Sequence, residues 1–161
     1  MGPVFLELNQ LAPSKKNQWH VGRGGHHIYK SKEARNFEGA VQEKLQGITV
    51  DGTDFAIMIR IFQEGRRRRD IDNMEGTIFD ALNHSLKTVN EKGEEKKFDD
   101  SMINMKMVQR YIGVSFDRTE VLLMKNGSEA IAMAGRLLVY PASPISLPTQ
   151  VQFLPPLLTK Q

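Results

Sequence analysis

Cysteine is absent from this 161-residue chain. Disulfide frameworks, cysteinyl zinc sites, iron–sulfur clusters and thiol nucleophiles are therefore excluded. Aromatic residues are sparse, at 7% with a single tryptophan. No apolar run approaches the roughly 18 residues that a bilayer-spanning helix needs. The opening segment, MGPVFLELNQ, has neither the charged nor the apolar region of a signal peptide, so a cytoplasmic location is expected. Walker A, dinucleotide-binding and serine-nucleophile signatures are also missing. GRGG at 22–25 reads as a flexible loop.

What is present suits one globular domain with a tail. Hydrophobic residues make up 40% and charged residues 25%, enough to build a core. The net charge is +3, from 22 basic and 19 acidic residues. That total says little, but the basic residues cluster and the acidic ones pair. From Tyr140 onward the composition shifts, and five of the seven prolines lie between Pro141 and Pro156. Such a segment suits neither a central strand nor a helix. It is expected to be an extended or disordered appendage that can dock a protein partner through its apolar residues.

Periodicity places the elements. Residues 3–8 suggest a short strand, and the polar stretch 9–31 a loop. Ser31 is placed to cap a helix to about Gln46, with Ala34, Phe37, Val41 and Leu45 as its apolar stripe. FAIMIRIF at 55–62 is strand-like, with Ile57, Ile59 and Ile61 on one face. A second helix is expected over about 73–86, opened by an Asp72–Glu75 capping box. Residues 87–98 read as an exposed charged loop. One or two strands are expected over 102–116 and another over 120–124. After the Asn126-Gly127 turn, Ser128 is placed to cap a short helix.

The strongest chemical feature is RRRRDIDNMEGTIFDALN, taken with Asp99-Asp100. In extended backbone Asp70 and Asp72 point to one side, about 6.5–7 Å apart at Cα. Carboxylates that close raise each other's pKa, and a hard divalent cation relieves the penalty. A third carboxylate from Asp99 or Asp100 would complete such a site, whereas Asp80, two turns on, is less well placed. The plainer alternative is that Asp72 is an N-cap and Asp70 a partner for the arginines. Arg66, Arg67, Arg68 and Arg69 are either a solvated face or, beside carboxylates, a track for a polyanion. The loop with Lys15, Lys16, Asn17, Arg23 and Lys30 is a second basic surface. Its Trp19 and Tyr29 can stack on bases or pack in the core. His20, His26 and His27 match no familiar zinc spacing.

PSKKNQ at 13–18, YKSKEARNFE, RRRRDIDNMEGTIFDALN and FDDSMI, in that order, resemble the RusA family of Holliday junction resolvases over roughly residues 3–124. The resemblance implies an α+β fold with a small mixed sheet and two main helices, assembled as a homodimer. It implies an endodeoxyribonuclease that resolves branched DNA by paired nicks, dependent on Mg²⁺ with Mn²⁺ as a possible substitute, in a bacterial or phage-infected cytoplasm. Asp70, Asp72 and Asp100 then take the metal-binding, catalytic positions, and Asn73 a supporting one. The basic residues named above would bind four-way junction DNA. The division would be a nuclease domain at 1–125, a helical extension at 126–140 and a Pro-rich tail at 141–161. One departure stands out. Where the family commonly carries a lysine, four residues after the second Asp, this chain has Gly76. A glycine inside a helix costs about 1 kcal/mol relative to alanine. The missing cation implies a substitute, with Arg69 or a lysine of 87–97 as candidates, or an altered activity, down to binding of branched DNA without cleavage.

Overall fold

A computed structural model describes residues 2–15, 19–21, 28–65 and 70–139. Among the described residues the fold is mixed α+β, built from three helices and mixed sheets. Among the described residues no helix is long and apolar enough to cross a membrane.

Most of the main sheet and its first helical layer comes from five elements. They are β1 (Val4–Leu8), α1 (Lys32–Leu45), β5 (Phe55–Glu64), α2 (Ile71–Ser85) and β9 (Arg118–Lys125). With β8 (Ile103–Val114), the strands form a four-stranded sheet in the order β1-β9-β5-β8. The β1–β9 and β9–β5 pairs are antiparallel, and β5–β8 is parallel. A parallel pair needs a long crossover connection, and α2 forms the helical part of it.

The expected stripe on α1 is the buried one: Ala34, Phe37, Val41 and Leu45. Ser31 caps the helix by accepting the Ala34 N–H at 3.1 Å. Gly47 follows the helix in a left-handed conformation, φ +77°, which glycine adopts without penalty. Phe37, Val41 and Leu45 pack with Met74, Ile78 and Leu82 of α2 onto Leu6, Leu8, Ile57, Ile59, Ile61, Val121 and Leu123 of the sheet. The opposite face carries Ala56, Met58, Leu122 and Met124 under Ala130 of α3 (Ser128–Val139). Met105, Met107, Met133 and Leu137 extend that second cluster. Both faces of β5 are thus covered, which is why its residues Phe55 to Gln63 are all buried.

Burial on both faces leaves Arg60 inside the protein. It lies directly opposite Glu120 across the β5–β9 ladder. Arg60 Nη2 is 2.5 Å from Glu120 Oε2, and Arg60 Nε donates to the same oxygen at 2.7 Å. Arg118 reaches Glu120 Oε1 at 3.4 Å and Glu7 Oε2 at 3.5 Å.

Several expectations change. The segment 9–31 is not all loop, because β2 (Trp19–Val21) and β3 (Ile28–Lys30) form an antiparallel ribbon. The charged segment after α2 holds β6 (Lys87–Val89) and β7 (Glu95–Lys97), which join β4 (Thr49–Asp51) in a second sheet. Each of these strands has three residues, too few for an alternating pattern to emerge. β7 is exposed throughout, so its residues carry no apolar signal. Ser128 is the first residue of α3 rather than its cap. The Pro-rich tail at 141–161 lies outside the described residues.

The Arg60–Glu120 pair yields a stability test. Glu120→Gln removes the main counter-charge of a buried guanidinium and is expected to destabilise the fold by about 3–5 kcal/mol. Arg60→Met combined with Glu120→Leu, which removes both charges, is expected to recover most of that loss. Urea denaturation of the three proteins measures it.

Candidate functional site

The segment expected to carry the chemistry surrounds the start of α2. The helix begins at Ile71 with Asp70 at the cap position, two residues earlier than its pattern suggests. Met74 N–H closes the first turn on the Asp70 carbonyl at 3.2 Å. The expected Asp72–Glu75 capping box is therefore absent, since Asp72 already lies inside the first turn. The Asp70 side chain makes no cap bond either; it accepts from Asn73 Nδ2. Glu75 is buried instead, with its carboxylate 2.5 Å from Lys106 Nζ of β8. Lys106 also sits over the Phe79 ring, 6.0 Å from its centroid.

Starting the helix earlier alters the carboxylate geometry. In extended backbone Asp70 and Asp72 would share a side, but residues two apart at a helix start do not face each other. Both carboxylates are exposed. No hydrogen bond or ion pair engages the Asp72 carboxylate among the described residues.

Asp100 stands elsewhere. It opens a one-turn 3-10 helix, Asp100–Met102, that leads into β8. Just before it, Phe98 N–H donates to the carbonyl of Leu86 at 3.2 Å, which fixes this turn at the C-terminal end of α2. Fifteen helical residues span about 22 Å, and the Asp70–Asp72 pair lies at the other end of that helix. Among the described residues no three His, Cys, Asp or Glu side chains are grouped to hold a metal ion. Among the described residues, Asp70, Asp72 and Asp100 of one chain are not grouped as the expected Mg²⁺ or Mn²⁺ site requires.

The two neighbouring acids have different work. Asp99 caps the 3-10 turn, its Oδ1 accepting the Ser101 N–H at 2.9 Å. Hydrogen bonds from the Ser101 hydroxyl and backbone N–H, with a smaller contribution from Lys97, hold its carboxyl below the usual carboxylate value. The Asp100 carboxylate is exposed and has no such partner among the described residues.

Two of the expected DNA-binding residues are described. Lys15 crosses α2, with Nζ 3.1 Å from Asp80 Oδ2. The chain leading to it is fastened where Thr77 Oγ1 donates to the Pro13 carbonyl at 2.7 Å. Lys30 is paired with Glu38 and lies over the Trp19 ring, 5.5 Å from its centroid. Lys16, Asn17, Arg23 and Arg66, Arg67, Arg68 and Arg69 lie outside the described residues, as do His26 and His27.

The β2–β3 ribbon exposes its large side chains. Trp19 is 55% and Tyr29 49% accessible. Neither is a core residue, so the packing alternative for them fails. His20 faces Tyr29 across the ribbon, with ring centroids 5.6 Å apart.

Sequence reasoning missed the Glu75–Lys106 pair and the Lys15–Asp80 pair. A lysine between Met105 and Met107 on a strand was a signal for the first, because alternation turns it to the opposite face. The second had one local sign, an unexplained glycine inside α2.

The division between Asp99 and Asp100 is testable. Asp99→Ala is expected to lower the thermal midpoint near neutral pH, and Asp100→Asn to leave it unchanged. Because the folded Asp99 value is depressed, its stabilising contribution is present above the unfolded value and is lost as pH falls through the folded one. The gap between wild type and Asp99→Ala should therefore narrow in acid; thermal melts across pH 2–6 (roughly the carboxylate range) check this.

No protein-family model matches this chain, and no curated protein matches it.

Proposed function

We propose that this protein binds branched DNA and acts on it as a structure-selective endonuclease of the Holliday junction resolvase type, working as a homodimer. The observation that carries this reading is the start of α2. Two exposed carboxylates, Asp70 and Asp72, directly follow four arginines in sequence, and Lys15 lies on the same helix. Cations in that setting neutralise backbone phosphates without reading sequence. The ribbon adds Trp19 and Tyr29, exposed beside Lys30, as surfaces on which unpaired bases at a junction can stack. Together these favour a shape-selected substrate over a sequence-selected one.

The separation of Asp100 from the other two acids supports a second reading, a branched-DNA-binding protein that does not cleave. It also sets a condition on the first. On the endonuclease reading, Asp100 joins the Asp70–Asp72 end of a second copy, since α2 keeps them apart within one chain.

A synthetic four-way junction with Mg²⁺, Mn²⁺ or EDTA tests the reading. Paired symmetric nicks that require the divalent cation are expected, with Asp70→Asn and Asp72→Asn binding the junction but not cutting it. Binding without nicks in either cation leaves the second reading in place. Neither binding nor nicking rejects both.

Mixing two inactive variants tests the two-copy condition. A dimer of one Asp72→Asn chain and one Asp100→Asn chain would hold one site with both substitutions and one with neither. Co-refolding the two variants is therefore expected to recover nicking of one strand per dimer. If the acids acted within a single chain, each site would carry one substitution and the mixture would stay inactive.

A further inference from the structure

Position 76 is a glycine in the middle of α2, with a half-buried backbone. No turn or left-handed conformation calls for it, and its use is steric. A Cβ built on Gly76 would stand 3.1 Å from Cδ of Lys15 and 3.8 Å from its Nζ. The aliphatic stem of Lys15 therefore lies on the bare helix at the spot where any other residue would project its side chain. Asp72, Gly76 and Asp80 recur every four residues and so form one stripe of the helix. Lys15 Nζ sits on that stripe, 3.1 and 3.3 Å from the two Asp80 oxygens. The Thr77 bond to the Pro13 carbonyl, 2.7 Å, holds the incoming chain against the next helical position.

We propose that Lys15 is the phosphate-binding cation of this helix face, and that Gly76 is there to seat it. The inference rests on the DNA reading above and names a residue for it. The chain delivers a positive charge to the helix from outside, one turn from Asp72, in place of a cation grown from the helix itself. Its counter-ion suits the role. The Lys15 side chain is 52% accessible and Asp80 34%, so the pair is loose enough to exchange. An arriving phosphate takes over the ammonium, and Asp80 holds it in position until then. Neither Arg69 nor the lysines of 87–97 is required as the substitute.

The experiment uses the full-length chain and a fluorescent four-way junction in EDTA, so that binding is read without cleavage, over a series of salt concentrations. Lys15→Ala is expected to weaken binding roughly fivefold or more and to reduce the slope of log affinity against log salt by about one phosphate contact. Lys15→Ala with Gly76→Lys is the decisive variant, because the vacated stem leaves room for the new side chain. It is expected to return affinity to within about twofold of wild type and to restore the salt slope. Asp80→Asn, which releases the ammonium, is expected to bind at least as tightly as wild type. Circular dichroism melts of each variant show that the fold is kept. Wild-type affinity and slope in Lys15→Ala would overturn the inference and leave the DNA reading standing. A folded double variant that fails to recover would overturn it as well. Absence of junction binding by the wild type would overturn the DNA reading, and the inference with it.

Discussion

The parallel pairing of β5 with β8 dictates where everything else in this molecule can be. Two parallel neighbours cannot be joined by a hairpin, so the chain must travel back along the sheet before the second strand begins. α2 covers most of that return. Its fifteen residues account for about 22 Å, and its apolar stripe holds it on the sheet beside α1. Polar groups at the start of α2 therefore lie at one end of the layer. Those just before β8 lie at the other, where Phe98 is bonded to Leu86. No choice of rotamer shortens that distance, because it is a property of the topology.

The Arg60–Glu120 pair fixes the register on which this arrangement depends. Arg60 is opposite Glu120 in the antiparallel ladder, and both are buried. Sliding β9 by one residue would set Val121 or Thr119 opposite Arg60. It would also turn Glu120 into the apolar layer occupied by Ile59, Val121 and Leu123. A buried charge without its partner costs several kcal/mol, comparable to a large share of a domain's whole stability. The ion pair need not add net stability to do this. It penalises one-residue slips of β9 against β5.

Much of the scaffold was legible because its signals are periodic. The α1 stripe and its Ser31 cap follow from spacing and from one side-chain oxygen, and the structure has both. The run 55–62 reads as a strand because β-branched residues alternate, and it is the most buried strand of the sheet. β2, β3, β6 and β7 were not legible, since strands of three residues are too short to display an alternation. The start of α2 was missed for a subtler reason. Asp70 and Asp72 are both credible caps, and the identity of a cap residue does not say which of two candidates the backbone uses. That two-residue difference decides whether the carboxylates share a side. The pattern names the acids, whereas their directions are set by helix phase and by a crossover that composition does not record.

A distinction between binding and cleavage follows from these two ends. Holding a phosphate backbone requires cations spaced along a surface, and their mutual distances matter little. Hydrolysing one phosphodiester requires several groups to converge on one point, where misplacement by about 1 Å can cost a hundredfold in rate. On the DNA reading, Lys15, seated on the α2 face, is one such cation. On the same reading one chain does not supply the second requirement, because Asp100 and the Asp70–Asp72 pair lie towards opposite ends of α2. On the DNA reading, affinity is then a property of the chain and cleavage a property of an assembly. On the endonuclease reading, the length of one helix keeps a single copy inactive, and the proposed second copy is what closes the gap.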